Sequence, residues 1–276
     1  MRKSILVLLL AFMGGQFASA QTTGTQSDTT RYAYYAYMKV KPGMYADYLK
    51  LEKAWKKIHL ANQKAGKLRD WSLTEMISPS GASAEYDFVC RNTYRGAAAL
   101  AASLEGSYLP DNWKSLLTAE EVALVNRTGE IRTMVKTEIW AVEQGSVLWA
   151  ADADANAKVF VFNYFKLADC KSQSDHTKTE MDIWKPVHAA RMKDGHMKGW
   201  LVLNLVMPRS YGKTAPYQCA TVDAYADLTQ LLAPGGGNYW AKVHPGKTWD
   251  EIWKQTQDAA TIQKVDVRRM VDRLSW

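Results

Sequence analysis

The sequence has few cysteines, no long hydrophobic run and no cluster of like charge. Three cysteines in 276 residues do not suggest a disulfide-dense scaffold or a cysteine-rich zinc module. The most apolar run lies near the N-terminus and is far shorter than the roughly 20 residues that cross a bilayer. Basic and acidic residues alternate, although the formal net charge is +7. We therefore expect no nucleic-acid partner and no membrane anchor.

Motifs that usually identify an enzyme are also missing. The sequence has no Gly-x-Ser-x-Gly element for a nucleophile, no phosphate-binding glycine loop and no His-x-x-x-His pair. It also lacks the Cys-x-x-Cys-His motif that attaches haem covalently. His176 is expected in a loop beside Asp175. No metal site is predicted, and the sequence leaves open whether the protein is an enzyme.

The N-terminus has the pattern of a secretory signal peptide. Two basic residues precede the apolar run 5–13, and small residues stand before a predicted cut after Ala20. We therefore predict a signal peptide at 1–20 and a secreted or periplasmic protein. The polar stretch 21–30 is expected to be a flexible leader.

The chain contains an internal repeat. Residues 51–73 align without a gap on residues 180–202. The matched identities include Trp55 with Trp184, Lys56 with Lys185, His59 with His188, Gly66 with Gly195 and Trp71 with Trp200. Such a register indicates a tandem duplication.

A second gap-free alignment extends the repeat to its last strand. It lays residues 113–140 over residues 249–276. It therefore matches Arg132 with Arg268 and Trp140 with Trp276. The predicted organisation is a first repeat at 31–143, a linker at 144–157 and a second repeat at 158–276.

Each repeat is predicted to be a ferredoxin-like βαββαβ unit of the α+β class. The order of apolar and amphipathic segments is strand, helix, strand, strand, helical region, strand. Gly66 and Gly195 are expected to end the first helix of each unit, and Pro186 is expected to loosen the second unit's helix. Since the unit's own helices cover only one face of its sheet, we expect the two sheets to pack together as an intramolecular α/β barrel.

The first helix carries a pattern that points to a family. Glu52, Trp55, Lys56 and His59 form Glu-x-x-Trp-Lys-x-x-His, which recurs in part at 184–188. Together with the duplication and the element order, this pattern resembles the dimeric α/β-barrel superfamily in a tandem form. The resemblance implies a pocket between helix and sheet. Members include cofactor-free monooxygenases, haem-degrading enzymes, chlorite-dismutase-like haem proteins and many proteins without a known activity.

The same helix face is the candidate site. His59 and His188 each follow a tryptophan by four residues, which places each pair on one helix face. We name both histidines as candidate catalytic residues or as axial ligands of a non-covalent haem, since imidazole changes charge near neutral pH. The candidate ligand-binding residues are Glu52, Trp55, Trp184 and Arg191. The alternative is a half-buried face in which tryptophan fills the core and imidazole bonds a carbonyl or carboxylate.

The cysteines allow one disulfide. Cys170 follows the first strand of the second repeat, and Cys219 opens its third strand, which is the antiparallel neighbour. A disulfide between them is therefore compatible with an oxidising compartment. The alternative is three unpaired thiols, with Cys90 buried in the first repeat.

These features favour a secreted protein that binds a small, partly aromatic or anionic molecule. Arg132 and Arg268 are candidates to hold an anionic group, with a structural ion pair as the alternative. Two other functions stay open, an oxidoreductase of the monooxygenase or haem type and a protein-interaction or scaffold module. A homo-oligomer is compatible with each of them.

Overall fold

The computed structural model describes residues 29–106, 108–208, 216–233 and 238–274. The predicted signal peptide and residues 21–28 of the predicted leader lie outside the described residues. The strands are β1 (Arg31–Val40), β2 (Asp70–Ser78), β3 (Phe88–Arg95), β4 (Arg132–Val142), β5 (Leu148–Trp149), β6 (Val159–Leu167), β7 (Gly199–Met207), β8 (Cys219–Tyr225) and β9 (Ala260–Leu274). The helices are α1 (Tyr45–Lys64), α2 (Ala97–Glu105), α3 (Ala119–Asn126), α4 (Thr128–Ile131), α5 (Ala153–Asn156), α6 (Gln173–Thr179), α7 (Lys185–Lys193), α8 (Leu228–Leu232), α9 (Tyr239–Val243) and α10 (Trp249–Ala259).

Within the described residues, eight antiparallel strands form a closed barrel. The order is β4-β1-β3-β2 in the first repeat and β9-β6-β8-β7 in the second, which is the ferredoxin-like order in both. Strand β2 pairs with β9, and β4 pairs with β7, so the two sheets are joined at both edges. This confirms the predicted α+β class and the barrel of two repeats, and it leaves no long unpaired edge.

The strands separate an interior core from two outer cores. In β1, Ala33, Tyr35 and Tyr37 belong to the barrel interior, whereas Ala36 and Met38 belong to the core beneath α1. This alternation is the two-residue period of a strand with both faces buried. A third core lies beneath the helix of the second repeat. The barrel interior and the helix–sheet layers are therefore separate places for a site.

The main helix of each repeat ends close to the glycine that was predicted to terminate it. Helix α1 ends at Lys64 and α7 ends at Lys193, and the glycines two residues later have positive φ angles, +72° at Gly66 and +78° at Gly195. Pro186 also has the predicted effect. The segment Glu180–Trp184 between α6 and α7 is π-helical, because proline lacks the amide that would continue the regular bonding pattern.

The gap-free alignment of the last strands is wrong. Strand β1 places Ala33 opposite Trp140, and β6 places Phe160 opposite Arg268. Ala33 and Phe160 occupy equivalent positions, since each lies seven residues before the end of its strand. Arg268 is therefore the counterpart of Trp140 and not of Arg132. Helices α3 and α10 both begin at a capping box, formed by Thr118 with Glu121 and by Thr248 with Glu251. The two capping boxes are 130 residues apart, whereas the aligned residues Trp113 and Trp249 are 136 residues apart. The segments before the last strands therefore differ in length between the repeats.

The disulfide that the sequence allowed is not formed. Cys90, Cys170 and Cys219 are free; Cys219 is buried opposite Phe165, whereas Cys170 is exposed in a turn after β6, with φ +63°. His176 is also not in a loop, since it lies on α6. Among the described residues, no helix combines the length and apolar character needed to cross a membrane.

Candidate functional site

Both candidate histidines lie in matching stacks between helix and sheet. The His59 ring stacks on Trp71 of β2 with centroids 5.0 Å apart, and the His188 ring stacks on Trp200 of β7 at 5.1 Å. The preceding helix tryptophans approach at similar distances, 6.1 Å from Trp55 to His59 and 6.2 Å from Trp184 to His188. The sequence prediction that each Trp–His pair shares a helix face is therefore met in both repeats.

The two imidazoles are buried and neutral. His59 is 4% exposed and His188 is 9% exposed. Burial, with a smaller contribution from Arg132, lowers the pKa of His59 to about 3. Burial also lowers the pKa of His188 to about 3, with Arg191 adding to the effect. Because an acid–base catalyst needs a pKa near its working pH, this environment favours the packing role for both residues.

The remaining predicted residues complete these layers. Arg132 Nε lies 3.5 Å from Glu52 Oε1. Arg132, a candidate to bind an anionic ligand, therefore forms a structural ion pair instead. Burial raises the pKa of Glu52, although Arg132 opposes that shift. Arg191 Nη1 lies 3.4 Å from His188 Nδ1, and its Nη2 donates to the Tyr225 hydroxyl at 3.3 Å.

Neither histidine environment is open enough to take a haem group. His59 is 4% exposed, with one ring face on Trp71, and His188 is 9% exposed, with one ring face on Trp200. An axial ligand needs an open pocket beside its coordinating nitrogen, whereas a hydrogen bond at Nδ1, such as that between His59 and Tyr108, would not prevent coordination through Nε2. Within the part of the chain that the structure describes, no group of three or more His, Cys, Asp or Glu residues could hold a metal ion.

Titration with haemin tests this conclusion directly. We expect no Soret shift that depends on either histidine. An axial bond between haem iron and one of these imidazoles would require the surrounding helix–sheet layer to open. The measurement is a haemin titration of the full chain and of the variants His59→Ala and His188→Ala. A Soret band that either substitution removes would contradict the packing role.

The helix–sheet layer of the second repeat contains a buried polar cluster that the sequence did not indicate. His176 Nε2 lies 3.4 Å from Glu180 Oε1, and the two side chains are only 1% and 3% exposed. Burial raises the pKa of nearby Asp223 to about 6, opposed by Arg191. No sequence motif marks this cluster, because its members are scattered over a helical segment and a strand.

A cavity lies inside the barrel. It measures about 240 Å³ and is lined by residues of both repeats. Its apolar wall includes Tyr35, Phe160, Phe162, Leu203, Val222 and Met270. The predicted linker contributes Val147, Trp149 and Asp154 to the wall. Of the predicted candidates, only Arg268 lines this cavity.

Below the cavity, matched side chains from the two repeats form an interior polar network. Its members are Tyr37, Lys136, Glu138 and Tyr217, with their counterparts Tyr164, Lys264, Asp266 and Tyr86. Tyr37 donates to Glu138 Oε2 at 2.6 Å, and Lys264 donates to the Tyr86 hydroxyl at 2.6 Å. The two halves meet where the hydroxyls of Tyr37 and Tyr164 lie 3.4 Å apart. Burial raises the pKa of Tyr37 and of Tyr164 well above the usual value, so both phenols stay protonated.

Arg268 interrupts the symmetry of this network. Its Nη2 donates to Asp266 Oδ2 at 2.8 Å and to the Tyr164 hydroxyl, and its guanidinium lies 3.9 Å from the centre of the Phe162 ring. Burial works against its charge, but Tyr164, Tyr86 and Asp266 raise the pKa above its usual value, so it stays cationic. Its Nε and Nη1 are buried and have no hydrogen-bond partner among the described residues.

Sequence comparison gives no family for this chain. No protein-family model matches it, and no curated protein is significantly similar to it. Solved structures do resemble it. A protein titled "putative monooxygenase" from Fusobacterium nucleatum is 9% identical, covers 89% of this chain and 94% of its own, and has a TM-score of 0.53.

Two further solved structures are similar to the chain. An anthrone oxidase-like protein is 12% identical over 90% of this chain and 93% of its own, with a TM-score of 0.51. A haem-binding protein from Thermus thermophilus is 10% identical over 89% of this chain and 95% of its own, with a TM-score of 0.45. At these identities the likeness concerns the fold alone. The chain therefore shares its fold with the anthrone oxidase-like protein and the Fusobacterium protein, and this fold is an α/β barrel with both ferredoxin-like units in one polypeptide.

Proposed function

We propose that the protein binds one small molecule in the barrel cavity and that Arg268 holds a negatively charged group of that molecule. One observation carries the proposal: a buried guanidinium lines the cavity with two donor atoms, Nε and Nη1, that have no partner among the described residues. An unmet buried donor costs about 1–3 kcal/mol, and more when the group is charged. An anion in the cavity would satisfy both atoms.

The rest of the cavity suits an apolar or aromatic body. Phe160 and Phe162 present ring surfaces from β6, and Leu203 and Val222 present aliphatic surfaces from the neighbouring strands. A cavity of about 150 Å³ can hold benzene. A volume of about 240 Å³ therefore suits a molecule of one or two rings.

The difference between the repeats supports one ligand per chain. In the first repeat, the counterpart of Arg268 is Trp140, whose Nε1 donates to Glu138 Oε2 at 3.0 Å. The first repeat therefore offers an indole where the second offers a cation. This one cation at the matched position sets the side of the barrel towards which the anionic group of the ligand would point.

Calorimetric titration with 2-naphthoate, compared with neutral 2-naphthamide, tests the proposal. We expect naphthoate to bind at least tenfold more tightly than the amide. Arg268→Gln should lower the naphthoate affinity by at least tenfold, because a hydrogen bond to a charged group contributes about 1.5–3 kcal/mol. Arg269→Gln is the matched control, since Arg269 lies next in sequence but its side chain is 58% exposed and paired with Glu75.

A second variant keeps the test decisive if Arg268→Gln does not fold. Val222→Phe adds volume to the cavity wall without touching the interior polar network, so it should remove naphthoate binding and leave the melting temperature unchanged or higher. Equal binding by wild type, Arg268→Gln and Val222→Phe would overturn the proposal. So would the failure of the wild type to bind naphthoate.

The monooxygenase and interaction alternatives give different results. Oxidation of the naphthoate ring during incubation in air would indicate an oxidoreductase. Loss of a protein partner on substitution of the exposed Trp249, with naphthoate binding unaffected, would indicate an interaction module. No feature of the barrel cavity favours either one over ligand binding.

We also propose that the protein is secreted or periplasmic and binds its ligand there. The support for this is the N-terminal pattern of basic residues, a short apolar run and a predicted cut after Ala20.

A further inference from the structure

The cavity has a rim of arginines at the end opposite the interior polar network. Arg31, Arg69, Arg91 and Arg273 come from four different strand regions and all line the cavity. They meet there because β1 and β6 begin at this end of the barrel, whereas β9 ends there. Asp154 at the rim is exposed, which marks this end as the opening to solvent.

The two aspartates that line the cavity do not balance these cations. Asp70 is shared, since Arg91 Nη2 donates to it at 2.9 Å and Arg69 Nε lies 3.8 Å from it. Asp154 accepts a hydrogen bond from Trp149 Nε1 at 2.9 Å. With Arg268 included, five arginines and two aspartates line the cavity, and Asp266 of the interior polar network pairs with Arg268, so two positive charges remain. The excess positive charge exceeds what one anionic group on Arg268 would neutralise.

Two rim arginines are the ones left for a ligand. The Arg31 side chain makes no hydrogen bond or ion pair with another described residue, and the Arg273 side chain donates to the Ala157 carbonyl oxygen at 2.8 Å. Burial lowers the pKa of Arg31, and Arg91 and Arg95 add to this shift, whereas Asp70 and Asp154 oppose it. Burial also lowers the pKa of Arg273, opposed by Asp154 and assisted by Arg91. Both shifts mean that a negative charge at the rim would be stabilising.

The distance between the rim of arginines and the interior polar network fits a ligand with two separated charges. Arg31 and Tyr37 are six residue steps apart on β1, which is roughly 20 Å along a strand. The Arg268 guanidinium lies 5.6 Å from the centre of the Tyr37 ring. Because arginine side chains reach in from both ends, the space between them is shorter than this distance, and the cavity volume of about 240 Å³ limits its content to one or two aromatic rings.

We infer that the ligand is a flat, apolar molecule with an anionic group at each end, one held by Arg268 and the other by Arg31 and Arg273. This inference rests on the proposed function and specifies the ligand class for the same cavity. The chemistry requires a dianion, such as a dicarboxylate, in which the two charges lie on opposite sides of the ring system. The rim cations also draw such a ligand towards the opening.

A comparison of naphthalene-2,6-dicarboxylate with 2-naphthoate tests the inference by calorimetry. We expect the wild type to bind the dicarboxylate at least tenfold more tightly, with the difference shrinking as salt is added. Arg31→Gln and Arg273→Gln should each reduce the preference for the dicarboxylate and leave the 2-naphthoate affinity within about threefold. Arg95→Gln is the control, because Arg95 is exposed at the same end of β3 and does not line the cavity.

The outcomes separate this inference from the proposed function. If both ligands bind equally and 2-naphthoate still depends on Arg268, the second anion position is wrong and the cavity proposal stands. If the preference survives both rim substitutions, the inference is likewise overturned. If neither ligand binds the wild type, the cavity proposal itself fails.

Discussion

Acidification from pH 7 to pH 4.5 should destabilise the protein through its two buried histidines by about 2–3 kcal/mol for each of them. Burial lowers the pKa of His59 and of His188 to about 3 in the folded chain. An unfolded chain has the ordinary histidine pKa of about 6.5. Between these values, the unfolded state binds more protons than the folded state. The stabilisation is therefore complete above about pH 6.5 and is lost as the pH falls towards 3.

The measurement is urea unfolding at pH 7 and pH 4.5 for the wild type, His59→Phe, His188→Phe and the double variant. Phenylalanine keeps a ring on Trp71 or Trp200 and takes up no proton. Each single substitution should remove about half of the histidine effect, and the double variant should remove all of it. Other groups, such as Asp223 with its pKa raised by burial to about 6, shift the whole series equally. An unchanged pH dependence in the double variant would contradict the prediction.

Truncation of either sheet tryptophan should destabilise the fold by about 3–5 kcal/mol, the usual range for a fully buried tryptophan changed to alanine. Trp71 and Trp200 are both 0% exposed, and each supports the stacked imidazole above it. Removal of the indole would leave a cavity and would also free the histidine ring. The check is equilibrium unfolding of Trp71→Ala and Trp200→Ala, each at pH 7.

Trp249→Ala is the control for these substitutions. Trp249 also contacts other tryptophan rings, including Trp253 at 5.8 Å, but it is 42% exposed. Its loss should cost about 1 kcal/mol or less, as is usual for a surface change. Similar decreases in the free energy of unfolding for Trp71→Ala and Trp249→Ala would mean that the ring stacks do not contribute the stability assigned to them. A large loss confined to one repeat would show that the two stacks are not equivalent.

The helix–sheet layers could be predicted because their signals are local. Trp55 and His59 are four residues apart, so helix geometry alone places them on one face. The repetition at Trp184 and His188 then indicated a duplicated layer. The sequence could not decide between catalysis and packing, because burial and the ring stacks on Trp71 and Trp200 depend on strands from elsewhere in the chain.

The cavity could not be predicted in this way. Arg268 was noted as a candidate, but it was paired with Arg132 through a gap-free alignment. Sheet register instead matches it with Trp140 and places it inside the barrel. The segment at 144–157 was predicted only as a linker, yet Trp149 and Asp154 line the cavity.

The duplication, the ferredoxin-like order of each unit and the ends of the main helices follow from the amino-acid sequence alone, since they depend on periodicity, glycine positions and near neighbours along the chain. Which side chains meet inside the barrel depends on the tertiary structure. Closure of the sheet brings Arg31 of the first strand to the same cavity as Arg268 and Arg273 of the last strand, although the two strands belong to different repeats. The face on which a strand residue lies changes with a one-residue shift in register, and register is set by pairing with distant strands.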